Sequence, residues 1–550
     1  MRAIDAAARA DGPIPSHYQQ AIYDFVRNGW GHGVVDAVPG SGKTTTLVQA
    51  CNRVDADLVA HLFAFNRHVS RELQSRLPAH AGASTIHSLG HRTLGLTGYG
   101  RQVDERKYAR LCREFLADRY PGAAAEELRR VADVLGDLVR MARLTLTDPT
   151  SPDALRSMAL AYELDMGDAS TWQRAAENVG PVLECGRRLA RGALDIGRAV
   201  RELTGQVPYV WPLPWPSASG IIDYTDMTWL PLVEDLQPRQ TDWVMVDESQ
   251  DLNRCGLELV LRACARGGRL LFVGDRRQAI YGFAGADPQS MERIEQRTGA
   301  ERLPLSICYR CPRSHVALAG QVYPGIEPAP GAAEGAIEEH VPEDDAVDML
   351  RPGDLVLCRT TAPLVPLCYR LIRCRKPARL RGHDIGVRLL SVLKRVEKQP
   401  GFTMADFGRH LRQCEAEALE ELARQEADEM AVQSMADKFA TVRVIFEAER
   451  PWTMEELRDA ITSLFPKDVD HPVVWLSTVH RAKGDEANRV FLLRPELLPH
   501  PKAKTPVQVE QERNLLYVAL TRAKHALYVV EGARAASIVP LRDQRPQRPR

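Results

Sequence analysis

The chain has 550 residues, more than one hydrophobic core usually organises, which suggests about three or four domains. Hydrophobic residues make up 44% and charged residues 26% of the sequence, which excludes a disordered or fibrous chain and indicates a globular protein. Lys and Arg together number 72, as do Asp and Glu, so the formal net charge is zero. This balance excludes a surface coated with basic charge, although a narrow basic track could still bind nucleic acid.

The eleven cysteines follow no zinc-binding or disulfide pattern. Cys308 and Cys311 form a C-x-x-C pair, but the second pair that a zinc site usually needs is missing nearby. Scattered reduced thiols are typical of the cytoplasm, so we expect a cytoplasmic location. The N-terminal segment lacks the apolar core of a signal peptide, and no stretch is long enough to cross a bilayer, so no membrane association is expected.

Short apolar runs rich in β-forming residues alternate along the chain with segments of helical periodicity. Such runs are typical of parallel strands buried on both faces, and the loops that follow them typically carry ligands. The predicted fold class is therefore α/β with parallel sheets. The predicted strands cover residues 33–38, 58–65, 243–246, 270–273, 354–358, 473–477, 489–493 and 526–530.

Two long helical segments interrupt this alternation. Residues 97–214 have apolar positions at helical spacing and end in a Pro- and Trp-rich stretch that cannot form a regular helix. Residues 401–470 are helical and acidic, with 16 Asp and Glu against 8 Lys and Arg. Because such a face repels phosphates, we expect this second segment to be a structural or protein-contacting insertion. The basic tail, residues 536–550, is predicted to be disordered.

A phosphate-binding loop follows the first predicted strand and precedes a predicted helix, which is the context of a Walker A motif. Gly40 and Gly42 let the backbone curl so that its N–H groups face phosphates. Lys43 would place a positive charge between the β- and γ-phosphates, and the Thr44 hydroxyl could bind Mg²⁺. The candidate nucleotide-binding residues are Ala37, Val38, Pro39, Gly40, Ser41, Gly42, Lys43, Thr44 and Thr45. ATP and Mg²⁺ are the expected cofactors.

A second acidic motif, D-E-S-Q-D at 247–251, directly follows the apolar run 243–246. An acid at a strand end near a P-loop is the Walker B arrangement. Asp247 would hold Mg²⁺, directly or through water, and Glu248 would polarise the attacking water. An ordinary solvated acidic turn is the alternative for this segment.

Further motifs surround these two in a set order. They are Y-Q-Q-A-I at 18–22, F-A-F-N-R at 63–67, T-I-H-S at 85–88, D-Y-T-D-M at 223–227, G-D-R-R-Q-A-I-Y-G-F at 274–283, C-Y-R at 308–310, T-V-H-R-A-K-G-D-E at 478–486 and E-R-N-L-L-Y-V-A-L-T-R-A at 512–523. With the loop at 37–44, this order resembles the superfamily 1 helicases of the UvrD/Rep-like group, including compact versions found in phages. The resemblance covers most of the chain outside the two helical segments.

The resemblance implies two RecA-like, P-loop-type domains, each with a mainly helical insertion. Residues 1–96 and 215–308 would form the first core, and residues 309–400 and 471–535 the second. The segments 97–214 and 401–470 would be the insertions. The implied activity is ATP-dependent DNA unwinding by translocation on single-stranded DNA with 3′→5′ polarity. Single-stranded DNA and its junctions with duplex would be the partners, in a bacterial or phage-infected cytoplasm, with a monomeric core activity.

Roles on the nucleotide side follow from the same resemblance. Gln19 would read adenine, with Gln20 as the alternative register. Tyr309 would stack on adenine, and Glu486 would contact the ribose. The catalytic residues would be Lys43, Asp247 and Glu248. Gln278 would be a γ-phosphate sensor, and Arg310 and Arg522 would be arginine fingers.

On the nucleic-acid side, the aromatic residues Phe65, Tyr281 and Phe283 would stack on bases, which tolerates any sequence. The polar residues Asn66, Thr85, His87 and His480 belong to the same interface, where Thr85, His87 and His480 would contact backbone phosphates. Asp485 replaces the apolar residue that the family usually has in that motif.

Three other functions remain open. A single-stranded nucleic-acid-dependent translocase could remodel nucleoprotein without unwinding duplex. A helicase–nuclease subunit is disfavoured because residues 525–550 are too few for a nuclease domain. A P-loop signalling or scaffold ATPase would leave the motifs at 63–67, 85–88 and 478–486 unexplained.

Overall fold

The computed structural model describes residues 14–531 except 98, 100, 101, 163, 192–219, 281, 283, 284, 425–428, 466–471, 502 and 504. The strands are β1 (Gly33–Ala37), β2 (Ala60–Phe63), β3 (Ala81–Ser84), β4 (Gln102–Val103), β5 (Ile221–Ile222), β6 (Thr241–Val246), β7 (Cys264–Gly274), β8 (Glu301–Leu305), β9 (Ile307–Cys308), β10 (Glu327–Pro328), β11 (Ala336–Pro342), β12 (Leu355–Cys358), β13 (Ala378–Leu380), β14 (Val474–Thr478), β15 (Ala487–Leu493) and β16 (Ala523–Glu531). The helices are α1 (His17–Asn28), α2 (Lys43–Cys51), α3 (Arg67–Gln74), α4 (Ile86–Leu96), α5 (Lys107–Arg119), α6 (Ala125–Thr145), α7 (Pro152–Ala161), α8 (Ala169–Ala190), α9 (Tyr224–Val233), α10 (Arg254–Ala263), α11 (Ser290–Thr298), α12 (Arg313–Val322), α13 (Glu343–Met349), α14 (Leu364–Arg373), α15 (His383–Glu397), α16 (Phe407–Arg424), α17 (Glu429–Glu449), α18 (Met454–Leu464) and α19 (Pro506–Leu520).

The first sheet has the strand order β3-β2-β6-β7-β1-β8, and all neighbouring strands are parallel. β1 lies between β7 and β8, where Val34 pairs with Phe272 and Arg302. Val34 and Val35 are both fully buried because the two faces of this strand are covered. Parallel strands end at one edge of a sheet, so the loops after β1, β2, β6 and β7 converge there.

The second sheet has the order β11-β16-β15-β12-β14-β13, again with parallel neighbours throughout. In its centre, Val356 of β12 pairs with Leu476 of β14 and Phe491 of β15, and all three side chains are buried. The two sheets confirm the predicted α/β class with two RecA-like domains.

Buried charges tie the first helical segment to the first core. Lys107 of α5 donates to Asp226 Oδ2 at 2.6 Å, and Arg143 of α6 donates to Asp223 Oδ1 at 2.8 Å and Asp226 Oδ1 at 3.0 Å. Asp223 caps α9, and Asp226 lies in its first turn. All four side chains are almost completely buried, where a charge is tolerated only when it is paired. This network explains the D-Y-T-D-M motif, for which the sequence had suggested no role.

The helices α16, α17 and α18 of the acidic segment pack around a shared apolar core that includes Phe407, Phe439 and Leu457. α15, which the sequence assigned to the second core, packs against the same three helices. The helical unit therefore begins at α15, before the predicted limit at residue 401. The other domain limits remain predictions. Trp452, just before α18, is 87% exposed.

The sequence missed β3, β8, β11 and β13, which are the outer strands of the two sheets. β3 consists of Ala and Gly residues with one Ser, β8 contains Pro304, and β11 exposes Glu338 and Glu339. Edge strands often carry small, charged or proline residues that discourage further pairing, so they lack the apolar runs typical of buried strands. The tail 536–550 and the Pro- and Trp-rich stretch lie outside the described residues.

Within the described part of the chain, no helix combines the length and the apolar character needed to cross a bilayer.

Candidate active site

The loop after β1 turns sharply into α2 at the carboxyl edge of the first sheet. Gly40 and Gly42 have φ values of 67° and 80°, in the left-handed region that favours glycine. α2 then begins at Lys43, so its N-terminal N–H groups face the loop, as in anion-binding sites. Thr44 Oγ1 donates to Asp247 Oδ2 at 2.9 Å, which joins the two nucleotide motifs.

Two observations test whether these residues fit a nucleotide and a metal. Ser41 Oγ is buried and has no hydrogen-bond partner among the described residues, which is unusual unless a ligand supplies one. The oxygens of Thr44 and Asp247 lie together, and Mg²⁺ prefers oxygen ligands of this kind. Both cofactor assignments are therefore compatible with the site.

The two acids after β6 have different electrostatic surroundings. Burial, followed by the charge of Glu248, raises the pKa of Asp247 to about 6. Burial also acts to raise the pKa of Glu248, but Lys43 and Lys483 outweigh it, and the net shift is downward. Lys43 Nζ lies 3.9 Å from Glu248 Oε1. Glu248 has a φ of 51°, a strained conformation for a non-glycine residue of the kind that clusters at functional sites.

A chain of hydrogen bonds joins the loop after β7 to Glu248. Gln278 Nε2 donates to Asp275 Oδ2 at 2.8 Å, and the Asp275 N–H donates to Gln250 Oε1 at 2.9 Å. Gln250 Nε2 then donates to Glu248 Oε2 at 2.5 Å. The predicted γ-phosphate sensor is thus connected to the predicted water-polarising acid through Asp275 and Gln250. Both residues lie in the sequence motifs, but this linking role is visible only in the structure.

Residues after β9 lie directly on the phosphate loop. The Tyr309 N–H donates to the Gly40 carbonyl at 2.9 Å, and a Cβ at Gly40 would come within 2.4 Å of Arg310 Cβ. The Arg310 guanidinium bonds Glu486 at 2.6 Å and the Thr521 carbonyl at 3.4 Å. The structure therefore brings Tyr309, Arg310 and Glu486 together beside the loop. Tyr309 is 48% exposed, so part of its side chain is accessible to a ligand.

Arg522 is 1% exposed, and its guanidinium donates to protein oxygens. It bonds the Val518 carbonyl at 2.9 Å, Thr521 Oγ1 at 3.1 Å and the Asp485 carbonyl at 3.3 Å. Burial, with a further contribution from Arg310, lowers the pKa of Arg522 to about 10. In this conformation Arg522 holds the motifs at 478–486 and 512–523 together.

Lys483 connects the two cores. Its ammonium donates to both carboxylate oxygens of Asp251, at 2.7 and 2.6 Å, and to the Gln278 carbonyl at 2.7 Å. The Lys483 and Asp251 side chains are only 7% and 4% exposed. Both residues lie in sequence motifs, but nothing in the sequence shows that they meet.

The first motif, at 18–22, faces the phosphate loop through Gln19. Gln19 Nε2 donates to Thr46 Oγ1 at 3.1 Å, and its Oε1 accepts from the Ser16 N–H at 3.0 Å as part of the capping box of α1. Gln20 instead bonds Asp24 on the exposed face of the helix. The geometry favours Gln19 over Gln20, and adenine recognition stays a prediction.

Candidate nucleic-acid contacts gather at the ends of β2 and β3. Phe65 is 58% exposed, and the His87 ring meets the Tyr224 ring edge-on at 6.4 Å. Asn66 and Thr85 accept from Val69 N–H and Ser88 N–H, respectively, and so cap α3 and α4. A pocket of about 460 Å³ is lined by Phe65, His87 and the two acids Asp247 and Glu248. The predicted strand contacts therefore border the predicted hydrolysis site.

The remaining predicted contacts belong to later motifs. His480 is half-buried, and burial, with Arg359 and Arg481, lowers its pKa to about 3, so the ring is neutral. Tyr281 and Phe283 lie outside the described residues. The unusual Asp485 forms an ion pair with Arg381, which follows β13, so this departure from the family pattern has a partner within the second core.

The fold combines two parallel sheets with a Walker A loop, a Walker B strand end and two arginines, Arg310 after β9 and Arg522 before β16, which is the arrangement of a two-core P-loop protein. Comparison with known proteins agrees: residues 26–284 match a family model described as an AAA domain, and residues 394–532 match the UvrD-like helicase C-terminal domain. The chain belongs to the UvrD/Rep-like superfamily 1 helicases.

Several relatives and one solved structure are similar to this chain. The F-box DNA helicase protein 1 of Schizosaccharomyces pombe is 22% identical over 536 residues, which cover 90% of this chain and 55% of the relative. The ATP-dependent DNA helicases PcrA of Staphylococcus epidermidis and Staphylococcus aureus are 35% and 34% identical over 103 residues, covering 17% of this chain and 14% of each relative. This chain therefore spans about half of the yeast protein and a small part of each PcrA. An arterivirus nonstructural protein 10 helicase aligns with a TM-score of 0.33 and 13% identity, covering 94% of this chain and 61% of the viral one.

Proposed function

We propose that this protein is an ATP-dependent DNA helicase that translocates on single-stranded DNA in the 3′→5′ direction and couples ATP hydrolysis to strand separation. The observation that carries the proposal is that one candidate nucleotide site draws residues from both predicted cores. Arg310 lies against Gly40 of the phosphate loop, and Lys483 bonds Asp251 beside the Walker B acids. A change in nucleotide state would therefore move one core relative to the other.

In the proposed hydrolysis step, Lys43 and the two arginine fingers, Arg310 and Arg522, neutralise the charge that develops on the transferred phosphoryl group. Glu248 orients the attacking water and accepts its proton. Thr44 and Asp247 would hold a Mg²⁺ ion, which supplies further positive charge at the phosphate oxygens.

The proposed movement depends on closure and opening of the cleft. ATP draws Arg310 and Arg522 toward phosphates held by the first core, and hydrolysis removes that attraction. Gln278 senses the γ-phosphate and is linked to Glu248 through Asp275 and Gln250. Alternating grip on the strand then converts each cycle into a step.

Strand binding in this proposal relies on stacking and on phosphate contacts. Phe65, Tyr281 and Phe283 stack on bases, at ~1–3 kcal/mol each, and Thr85, His87 and His480 contact phosphates. Neither kind of contact reads base edges in a groove, so binding would be independent of sequence and would weaken with salt.

We also propose that the active form is a monomer in the cytoplasm that binds single-stranded DNA and its junctions with duplex. The acidic segment 401–470 is the proposed site for a protein partner. Its charge disfavours DNA, and the exposed Trp452 offers an apolar contact.

The alternative function is a translocase that remodels nucleoprotein without unwinding duplex. ATP turnover should first be measured with single-stranded DNA and RNA of equal length, and then unwinding of duplexes with 3′ or 5′ tails, with Lys43→Ala as the inactive control. A helicase is expected to be stimulated by DNA and to unwind 3′-tailed duplex. DNA-stimulated turnover without strand separation would support the translocase, and turnover indifferent to DNA would contradict both.

A further inference from the structure

A cavity of about 730 Å³ lies at the β3 edge of the first sheet, away from the nucleotide site. Strand β2, the loop before β3, helix α4 and the segment before β6 all contribute basic or imidazole side chains to it. They are His61, His80, His91, Arg92 and Arg239. The cavity shares no residue with the predicted nucleotide or nucleic-acid contacts.

The small residues of β3 create this space. β3 has the sequence Ala-Gly-Ala-Ser, and a Cβ at Gly82 would come within 3.1 Å of His61 Nδ1. The outer edge of the strand is closed to another strand because the Ala83 N–H donates to Gln74 Oε1 at 2.7 Å. A small ligand therefore suits the cavity better than an added strand from a partner protein.

The charge in the cavity is of one sign. None of the lining residues is acidic, and among the described residues no carboxylate forms an ion pair with Arg92 or Arg239. Arg92 donates one N–H to Ser84 Oγ at 2.9 Å, which leaves further guanidinium donors for a ligand. Burial, followed by the charges of Arg92 and Arg239, lowers the pKa of His61 to about 4, so the positive field reaches into the cavity.

Hydrogen-bonding capacity is also unused there. The Nε2 atoms of His80 and His91 are buried without a hydrogen-bond partner among the described residues, whereas most buried polar atoms in proteins have one. Either nitrogen would have to turn toward the cavity to bond a ligand there. His61 Nε2 is already paired with Ser84 Oγ at 2.8 Å, which holds its ring over Gly82.

We infer that this cavity binds a small phosphorylated ligand, held by the guanidinium groups of Arg92 and Arg239 and by imidazole N–H groups. Arginine is well suited to phosphate because its planar donors match two phosphate oxygens at once. The same phosphate chemistry could come from a free ligand or from the backbone of a nucleic-acid strand. We favour the free ligand because none of the predicted strand-contact residues lines this cavity.

Calorimetric titration with inorganic pyrophosphate tests the inference, with a non-hydrolysable ATP analogue and excess Mg²⁺ saturating the phosphate loop. Wild-type protein should bind one pyrophosphate. The double variant Arg92→Gln/Arg239→Gln should bind at least tenfold more weakly, Arg92→Lys/Arg239→Lys should lose less, and the exposed pair Arg129→Gln/Arg156→Gln should bind as wild type.

Two results would overturn the inference. One is the absence of pyrophosphate binding, or equal affinity in the wild type and in a Gln double variant whose thermal unfolding is unchanged. The other is displacement of pyrophosphate by an oligonucleotide without terminal phosphates, which would assign the cavity to a nucleic-acid strand. Should the Gln variant unfold early, the comparison between the Lys double variant and the Arg129/Arg156 control decides, because both keep the cavity intact and only the first changes its guanidinium groups.

Discussion

At the residue scale, the basic side chains of the candidate site lie in very different surroundings. Lys43 is 11% exposed and faces Glu248, whereas Arg310 is paired with Glu486. Arg522 is buried and donates to carbonyl groups. Only a basic group that can reach a phosphate contributes to turnover, so these three side chains should differ in what their removal does.

Replacing Lys43 with Ala should abolish ATP turnover and leave strand binding largely intact. The lysine supplies a charge at the phosphates, whereas the predicted strand contacts belong to other loops. Steady-state ATPase rates and fluorescence anisotropy with a labelled oligonucleotide measure the two properties separately. Retained turnover would contradict the assignment of the phosphate loop.

Replacing Arg310 with Ala should preserve ATP binding and reduce turnover by about 10³-fold, the contribution typical of an arginine finger. Arg297→Ala is the matched control, because it also removes an arginine from an ion pair, with Glu258, and has no predicted contact with nucleotide. The two variants are compared by nucleotide affinity and by single-turnover hydrolysis. Near-normal hydrolysis in Arg310→Ala would mean that another residue is the arginine finger. Arg522 would then be the next candidate.

At the scale of elements, the two sheets and the buried charge network follow different sequence rules. The central strands have apolar runs, while the edge strands β3, β8 and β11 carry small, proline or charged residues, which suits strands with a neighbour on one side only. The network among Lys107, Arg143, Asp223 and Asp226 joins α5, α6 and α9 across distant parts of the chain. Pairing of this kind has no local pattern.

Replacing Asp226 with Asn should destabilise the first core by about 3–5 kcal/mol, because Lys107 and Arg143 would lose a buried counter-charge. Scanning calorimetry should therefore give a lower Tm for this variant. Asp344→Asn is the control: Asp344 is 88% exposed in its pair with Arg370, and such pairs contribute ~1 kcal/mol or less. Equal Tm values for the two variants would mean that the network does not stabilise the fold.

At the scale of the whole molecule, polar contacts as well as apolar packing join the two cores. Lys483 of the second core bonds Asp251 and the Gln278 carbonyl of the first, and Asn514 Nδ2 donates to the Ala279 carbonyl at 3.0 Å. These contacts converge on the loops that follow β6 and β7, which also carry the predicted hydrolytic residues. Coupling between DNA and nucleotide should therefore depend on them.

Replacing Lys483 with Met should leave ATP binding intact. The factor by which single-stranded DNA stimulates ATP turnover should fall about tenfold, which corresponds to a coupling free energy of ~1.4 kcal/mol. Asp251 would be left buried without its cation. Lys524→Met is the matched control, since Lys524 pairs with Glu486 inside the second core. Unchanged DNA stimulation in Lys483→Met would show that the bridge does not transmit the signal.

The sequence by itself determined the α/β class, the central strands and the motifs that identify the family. Apolar runs and glycine-rich loops are local features, because a buried strand or a turn restricts the residues at its own positions. The edge strands, the Lys483–Asp251 bridge, the bond from Arg522 to the Asp485 carbonyl and the bond from Gln19 to Thr46 were decided only by the tertiary structure. Each depends on which distant segments meet, and the contact geometry between such segments is not encoded in any local pattern of residues.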